Sequence, residues 1–369
     1  MNNRNLKNDL KPLSGVKGLA AIGITCLYHY KNVYSNQGVT DFWLIHFPII
    51  NWWADQGWIL VELFFTISGM LFIVAYEEKI GDGQLFEVFM GNRIKRLFPM
   101  MILSSTVYFI LEWIHLFTFG EYCLTDSNIW YYIISFFGFQ VGWFEYSFSL
   151  NAPTWYISVL MQCYIVAFVL ATLKKNQKRK NWLYMIPVIL GFAIDYSGIN
   201  FFVFNSVSSR GYISFFVGCL LMIWISREYG CHKTDKYKRY GTATICAWGG
   251  GVILIWILYS KVGIIVIGDI YKVMKILVFP LLLLIILKTK FLSKVLSGKI
   301  ATFLGDISFG IYLWNMPIEV SIILVSKVAG FTFDFGSISF FMIHFCIHLI
   351  IGIGVYYGIQ KNALIKSIT

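Results

Sequence analysis

The sequence predicts an all-α membrane protein: a polytopic helical bundle of about ten transmembrane helices plus one short re-entrant or interfacial segment. Three observations carry that prediction. Hydrophobic residues fill 58% of the 369 positions and charged residues only 13%, against roughly 45–50% apolar residues in ordinary soluble domains. Apolar runs close to the roughly 20 residues that a helix needs to cross a bilayer recur along the whole chain. The Lys and Arg residues collect in short segments between those runs. No stretch is left for a separate soluble domain, so residues 1–369 read as one transmembrane domain.

The first span is expected over 13–31. A basic segment precedes it, as in a signal peptide, but the apolar run continues to about Tyr30 without a small-residue cleavage pattern, which makes it an uncleaved span. The connection carrying Trp43, His46, Trp52, Trp53 and Asp55 reads as an interfacial or outside loop, because Trp rings favour the headgroup level. A second span, 57–76, leads into a hydrophilic loop over 77–96 that ends in Arg93, Lys95 and Arg96, and a third span follows over 97–119. Ile129 to Phe144 is apolar but short, and reads as re-entrant or interfacial. Further spans are expected over 155–173, 182–199, 211–225, 242–259, 269–287, 300–325 and 337–359.

Charge distribution orients this layout. With the N-terminus in the cytoplasm and 129–144 not crossing, the inside segments hold 23 of the 30 Lys and Arg, as the positive-inside rule requires. If 129–144 crossed, the basic segments 174–181, 226–240 and 288–299 would all move outside. Both termini are therefore expected in the cytoplasm, with the chain integral to the cell membrane. The net charge of +11 lies in these loops and forms no basic surface of the kind nucleic acid needs, so no nucleic-acid partner is expected. Seven cysteines, scattered, mostly within spans and without a CxxC pair, exclude a disulfide framework.

An ionisable group at the centre of a membrane helix costs about 2.5–3.5 kcal/mol on insertion scales, so such groups mark candidate sites. Lys17 and His29 in the first span and Glu62 in the second stand out. At 1.5 Å per residue His29 lies roughly 24 Å beyond Leu13, and Glu62 reaches a similar depth from the other side. The two spans are sequential and antiparallel, so a contact between His29 and Glu62 is geometrically open, and a carboxylate beside an imidazole orients it as a general base. A buried polar pair without chemistry is the alternative. His344 and His348 share a helix face and could ligate a metal, but no companion ligand set is visible, and no metal site is expected. Glu112 and His115 read as residues at the outer end of the third span. Asp195, Lys261 and Asp269 read as boundary residues. Arg93 and Arg96 read either as topology determinants or as a grip for phosphates. No Walker loop, GxSxG elbow or dinucleotide fingerprint is present.

Several stretches, in order along nearly the whole chain, resemble the acyltransferase 3 family of integral membrane O-acyltransferases. Lys17, Gly18, Leu19 and Ala20, followed by His29, resemble the family's Arg-Gly-(Ile/Leu)-Ala stretch and its histidine. Glu62 before Phe64, Phe65, Ser68 and Gly69 resembles the second signature, and Arg93, Arg96 and Pro99 the third. Thr154 to Ser158, Ser209 and Arg210 through Gly218, and Ile307 to Trp314 resemble three more. Four positions depart from the pattern: Lys17 where Arg is usual, Glu62 where Asp is commoner, Leu160 in place of a frequent Glu, and Asn315 in place of His.

The resemblance implies transfer of an acyl group, with acetyl the expected one, from acyl-CoA to a hydroxyl on a carbohydrate, lipid-linked saccharide or cell-envelope polysaccharide, in contact with membrane lipid. His29 would act as base with Glu62 orienting it. Arg93 and Arg96 would hold the donor's phosphates, Lys17 would line the donor route, and Arg210 and Trp155 would border the acceptor. A transporter or flippase of a lipid-linked saccharide would use the same charges as a substrate path. A non-catalytic family member would fit the departures at Leu160 and Asn315.

Overall fold

Small residues decide which helices touch, because lipid offers no hydrophobic drive for one apolar helix to prefer another. The computed structural model describes residues 9–143, 148, 150–230, 271, 274–331 and 333–361. The expected span 242–259, the start of 269–287, most of the basic loop after 230, Lys261, Asp269 and Cys246 lie outside the described residues.

Among the described residues every regular element is helical. The chain opens with α1 (Pro12–Ile22), passes through a π-helical turn (Gly23–His29) and continues as α2 (Tyr30–Asn36). Then follow α3 (Pro48–Gln56), α4 (Leu60–Phe72), α5 (Phe86–Phe119), α6 (Ile129–Phe136), α7 (Trp155–Lys174), α8 (Met185–Ser197) and α9 (Ser206–Gly230). The last four are α10 (Phe279–Lys288), α11 (Lys290–Leu296), α12 (Lys299–Ala329) and α13 (Ile338–Val355).

Among the described residues six helices are long and apolar enough to cross a membrane: Pro48–Gly81, Phe86–Phe119, Ala152–Lys174, Ser206–Ser226, Lys299–Ala329 and Ile338–Ile359. The pair Lys275–Lys288 and Lys290–Leu296, bent by 94°, makes a seventh if taken as one span. Ten were expected. The helix over 12–36, rich in small and polar residues, and the 13-residue α8 do not meet the same requirement. The aromatic connection after the first span is also more ordered than a loop, since α3 occupies Pro48–Gln56. At eight residues α6 rises about 12 Å, too little to cross. The segment after it folds back on α7: Ser158 Oγ donates to the Gly138 carbonyl (3.0 Å) and Gln162 Nε2 to that of Gly142 (2.6 Å).

Two glycine-mediated crossings organise the bundle. A Cβ on Gly69 of α4 would lie 1.9 Å from the Phe215 carbonyl oxygen of α9, and one on Gly218 would lie 2.0 Å from the Thr66 oxygen. Likewise a Cβ on Gly305 of α12 would lie 2.1 Å from the Ser14 oxygen of α1. Backbones that close leave no room for side chains, so α4 pairs with α9 and α1 with α12. These pairings set α4, with Glu62, against α9, with Arg210, and α1, with Lys17, against α12. Glu112 and His115, near the end of α5, are fully buried within the protein. Glu112 accepts the backbone N–H groups of Cys123, Leu124 and Thr125, which pins the loop after α5. His115 Nδ1 donates to the Glu121 carbonyl (2.8 Å).

Candidate active site

His29 closes the π-helical turn Gly23–His29, and such turns recur where helices carry functional groups. Its Nδ1 hydrogen-bonds to Oδ1 of Asn315, which sits fully buried on α12. An amide oxygen only accepts, so Nδ1 carries the proton and Nε2 keeps its lone pair. Asn315 is in turn held from its other side: Nδ2 donates to Glu319 Oε1 (3.3 Å) and to His348 Nε2 (3.0 Å). Glu319 accepts from His344 Nε2 at 2.6 Å. The imidazole of His29 thus ends a hydrogen-bonded chain built by one turn of α12 and one face of α13.

Glu62, the expected partner of His29, is engaged elsewhere. Arg210 on α9 donates through Nε to Glu62 Oε1 (2.6 Å) and through Nη2 to Oε2 (3.2 Å), a bidentate pair in which the carboxylate is fully buried. Tyr271 also donates to Oε1. The guanidinium lies 4.5 Å from the Trp155 ring and 5.0 Å from the Trp58 ring. The physical reason for this pairing is charge: a buried carboxylate gains more from a forked cation than from a neutral imidazole. Three residues read separately from the sequence, Glu62, Arg210 and Trp155, therefore form one cluster, while His29 belongs to another.

A third group of candidates lines a cavity of about 420 Å³. Lys11, Lys17, Arg93 and Arg96 contribute cations to its wall, with Asp306 as the one carboxylate among its described lining residues. Arg96 and Asp306 are the charged neighbours of Lys17. Arg93 is buried, hydrogen-bonds to the Tyr76 hydroxyl and stacks over that ring at 4.3 Å, yet its Nε is buried without a partner. Away from the cations the lining becomes aromatic, with Phe64, Tyr156 and Tyr312. Ser68 and Tyr156 share a hydrogen bond of 2.9 Å across this wall, and Leu160 packs beside them. Phe64 and Tyr312 are in edge contact at 5.7 Å, and Phe64 lies two residues beyond Glu62 on α4. Volume and lining match ordinary small-molecule sites, which run about 300–1,000 Å³ with a few placed polar groups.

Sequence reasoning missed Glu319. It is a carboxylate within a long apolar helix, and the rule that singled out Glu62 applies to it equally. Asn315 carried a weaker signal, a polar residue beside Trp314 at mid-helix. His344 and His348, which lacked visible companions in the sequence, have them in Glu319 and Cys26.

A family model described as an acyltransferase domain, of the acyltransferase 3 type, matches residues 11–357. A protein of Acidianus two-tailed virus, provisionally named an acetyltransferase, is 23% identical over 307 residues, which cover 76% of this chain and 79% of that protein. A Staphylococcus aureus (strain COL) protein, provisionally named an O-acetyltransferase, is 23% identical over 333 residues, 83% of this chain. The match takes in 50% of that protein, so the chain spans about half the length of the staphylococcal relatives. No solved structure matches the chain.

Proposed function

Because the chain belongs to the acyltransferase 3 family, as a membrane acyltransferase, we propose that it moves an acyl group, acetyl in the first instance, from acyl-CoA to a hydroxyl of a carbohydrate acceptor. The observation that supports this reading is the presence in one bundle of a cationic cavity and, outside its lining, an imidazole oriented by Asn315. Arg93, Arg96 and Lys17 supply the charge that a CoA phosphate group demands, and the unpartnered Nε of Arg93 is a donor still to be used. The aromatic wall of Phe64, Tyr156 and Tyr312 gives the uncharged pantetheine arm and thioester an apolar path away from the cations.

His29 Nε2 then takes the proton of the acceptor hydroxyl as its oxygen attacks the thioester carbonyl carbon. The C–S bond breaks, and the departing CoA thiolate is protonated by the imidazolium. Asn315 keeps the ring in the tautomer this requires, with Glu319 fixing Asn315. In this scheme Glu62 holds Arg210 rather than His29. Arg210 and Trp155 offer a cation and an aromatic face to the acceptor, the combination that suits a sugar ring with polar substituents. Arg93 and Arg96 face the cytoplasm, where acyl-CoA is made, and both chain termini lie on that side.

The test is acyl transfer from labelled acetyl-CoA in membranes carrying the wild type or His29→Ala at matched expression, with the acceptor fraction analysed by mass spectrometry. Loss of label on the acceptor in the variant is the expected result. Full transfer by His29→Ala would remove His29 as the base. Acceptor that crosses the membrane without gaining acyl mass in the wild type would replace the enzyme reading with transport.

A further inference from the structure

Four buried side chains from three helices meet beside Asn315: Cys26 in the π-helical turn, Glu319 on α12, and His344 and His348 on α13. All are at most 1% exposed. The Cys26 sulfur and one ring nitrogen from each histidine lie within 4.8 Å of one another. Around a tetrahedral Zn²⁺ with bonds near 2.0–2.3 Å, such atoms would stand roughly 3.5 Å apart, so side-chain adjustment of about 1 Å closes the set.

Two features of the hydrogen bonding point to an ion rather than to a self-contained polar cluster. The first is the tautomers. His348 Nδ1 donates to the His344 carbonyl (2.9 Å), leaving Nε2 with a lone pair that meets the Asn315 amide. His344 Nε2 faces the Glu319 carboxylate, leaving Nδ1 with its lone pair. A ring whose far N–H is tied to a carbonyl or carboxylate is the arrangement metal-ligating histidines adopt. The second is unmet demand. His344 Nδ1 is buried without a hydrogen-bond partner, whereas the Tyr34 hydroxyl and the Glu319 carboxylate, buried nearby, face each other. An orphaned buried polar atom is costly to keep away from water. A Tyr34 hydroxyl turned towards Glu319 satisfies that pair, but the lone pair of His344 Nδ1 still lacks a partner, and a cation meets it directly.

We propose that Cys26, His344 and His348 bind one Zn²⁺, with Glu319 supplying the balancing charge. The thiolate and the carboxylate together neutralise a divalent ion, a condition a low-dielectric interior imposes strictly. One thiolate, two imidazoles and a nearby carboxylate form a borderline-soft donor set of the zinc class, and His344 and His348 have the H-x₃-H spacing common in zinc sites. Binding displaces the Cys26 thiol proton to solvent and exchanges the Asn315–His348 hydrogen bond for a metal bond, while Asn315 keeps Glu319 and His29. The ion would tie the π-helical turn to α13 and so fix the backbone three residues from His29. This is a positioning role, and the proposal stands apart from the assignment of His29 as base.

The test uses full-length protein in detergent, purified from cells grown with Zn²⁺ and, separately, with Co²⁺. Metal analysis should find about one zinc per chain, slow to leave under EDTA because the cluster is closed to solvent. The cobalt-grown protein should show a near-ultraviolet thiolate-to-cobalt charge-transfer band. Cys26→Ser should lose the band and most of the zinc. Folded wild type with under about a tenth of an ion per chain and no cobalt band would overturn the proposal. So would copper in place of zinc, or zinc retained by Cys26→Ser, which would place the ion elsewhere. If Cys26→Ser fails to fold, the wild-type cobalt spectrum decides alone.

Discussion

Removing Arg210 should harm the protein far more than neutralising Glu62, although the two are one ion pair. The carboxylate is fully buried, whereas the guanidinium keeps 16% exposure and rests on two tryptophan faces. Arg210→Ala leaves a buried charge with Tyr271 as its remaining side-chain donor among the described residues, and breaking a buried pair from one side costs about 3–5 kcal/mol. Glu62→Gln leaves a cation that still has the Trp58 carbonyl at 3.4 Å, two aromatic faces and a side-chain oxygen to donate to, for a cost of about 1–2 kcal/mol. In the double variant the stranded charge is gone, so it should match Arg210→Ala or be about 1 kcal/mol more stable, a coupling of roughly 1–3 kcal/mol. SDS-titrated unfolding in mixed micelles, followed by tryptophan fluorescence, measures all four corners of this cycle. Additive energies, or a larger loss for Glu62→Gln than for Arg210→Ala, would refute the pairing as described.

Three further outcomes follow from the same geometry. Asn315→Ala frees the His29 ring and strands Nδ2's two acceptors, so steady-state kinetics should show kcat down by about 10²-fold with the donor KM little changed; an unchanged kcat would remove Asn315 from the positioning of His29. Arg93→Ala combined with Arg96→Ala should raise the acyl-CoA KM about tenfold or more while leaving the acceptor KM nearly unmoved, and the reverse pattern would reassign the cavity to the acceptor. Gly218→Leu should prevent α4 and α9 from closing, at a cost above the roughly 1–3 kcal/mol of ordinary overpacking, because the obstacle is the Thr66 backbone rather than a movable side chain. Size-exclusion profiles of detergent extracts would report that loss, whereas a monodisperse, wild-type-like profile would contradict the close crossing.

Membrane helices announce themselves one segment at a time, because an apolar run of sufficient length is a local property of the chain. The all-α class and the shortness of the helix within 129–144 were therefore legible without coordinates. The candidate ionisable residues were also noticeable there, because a charge within a span is improbable enough to stand out wherever it lies. Glu319 was missed although the rule covered it. Span counting was less secure, because the helix over 12–36 trades apolar bulk for the glycines that let α12 approach.

By itself the sequence determined which residues are chemically exceptional. It could not determine which of them meet. Glu62 and Arg210 are 148 positions apart, His29 and Asn315 286, and nothing in the local pattern of either helix names its partner. Those meetings are decided where backbones cross at Gly69, Gly218 and Gly305, since a crossing fixes the rotation of both helices and hence which side chains share a face. Tertiary packing gave Glu62 to a cation, left His29 to an amide, and gathered Cys26, Glu319, His344 and His348 at one buried point.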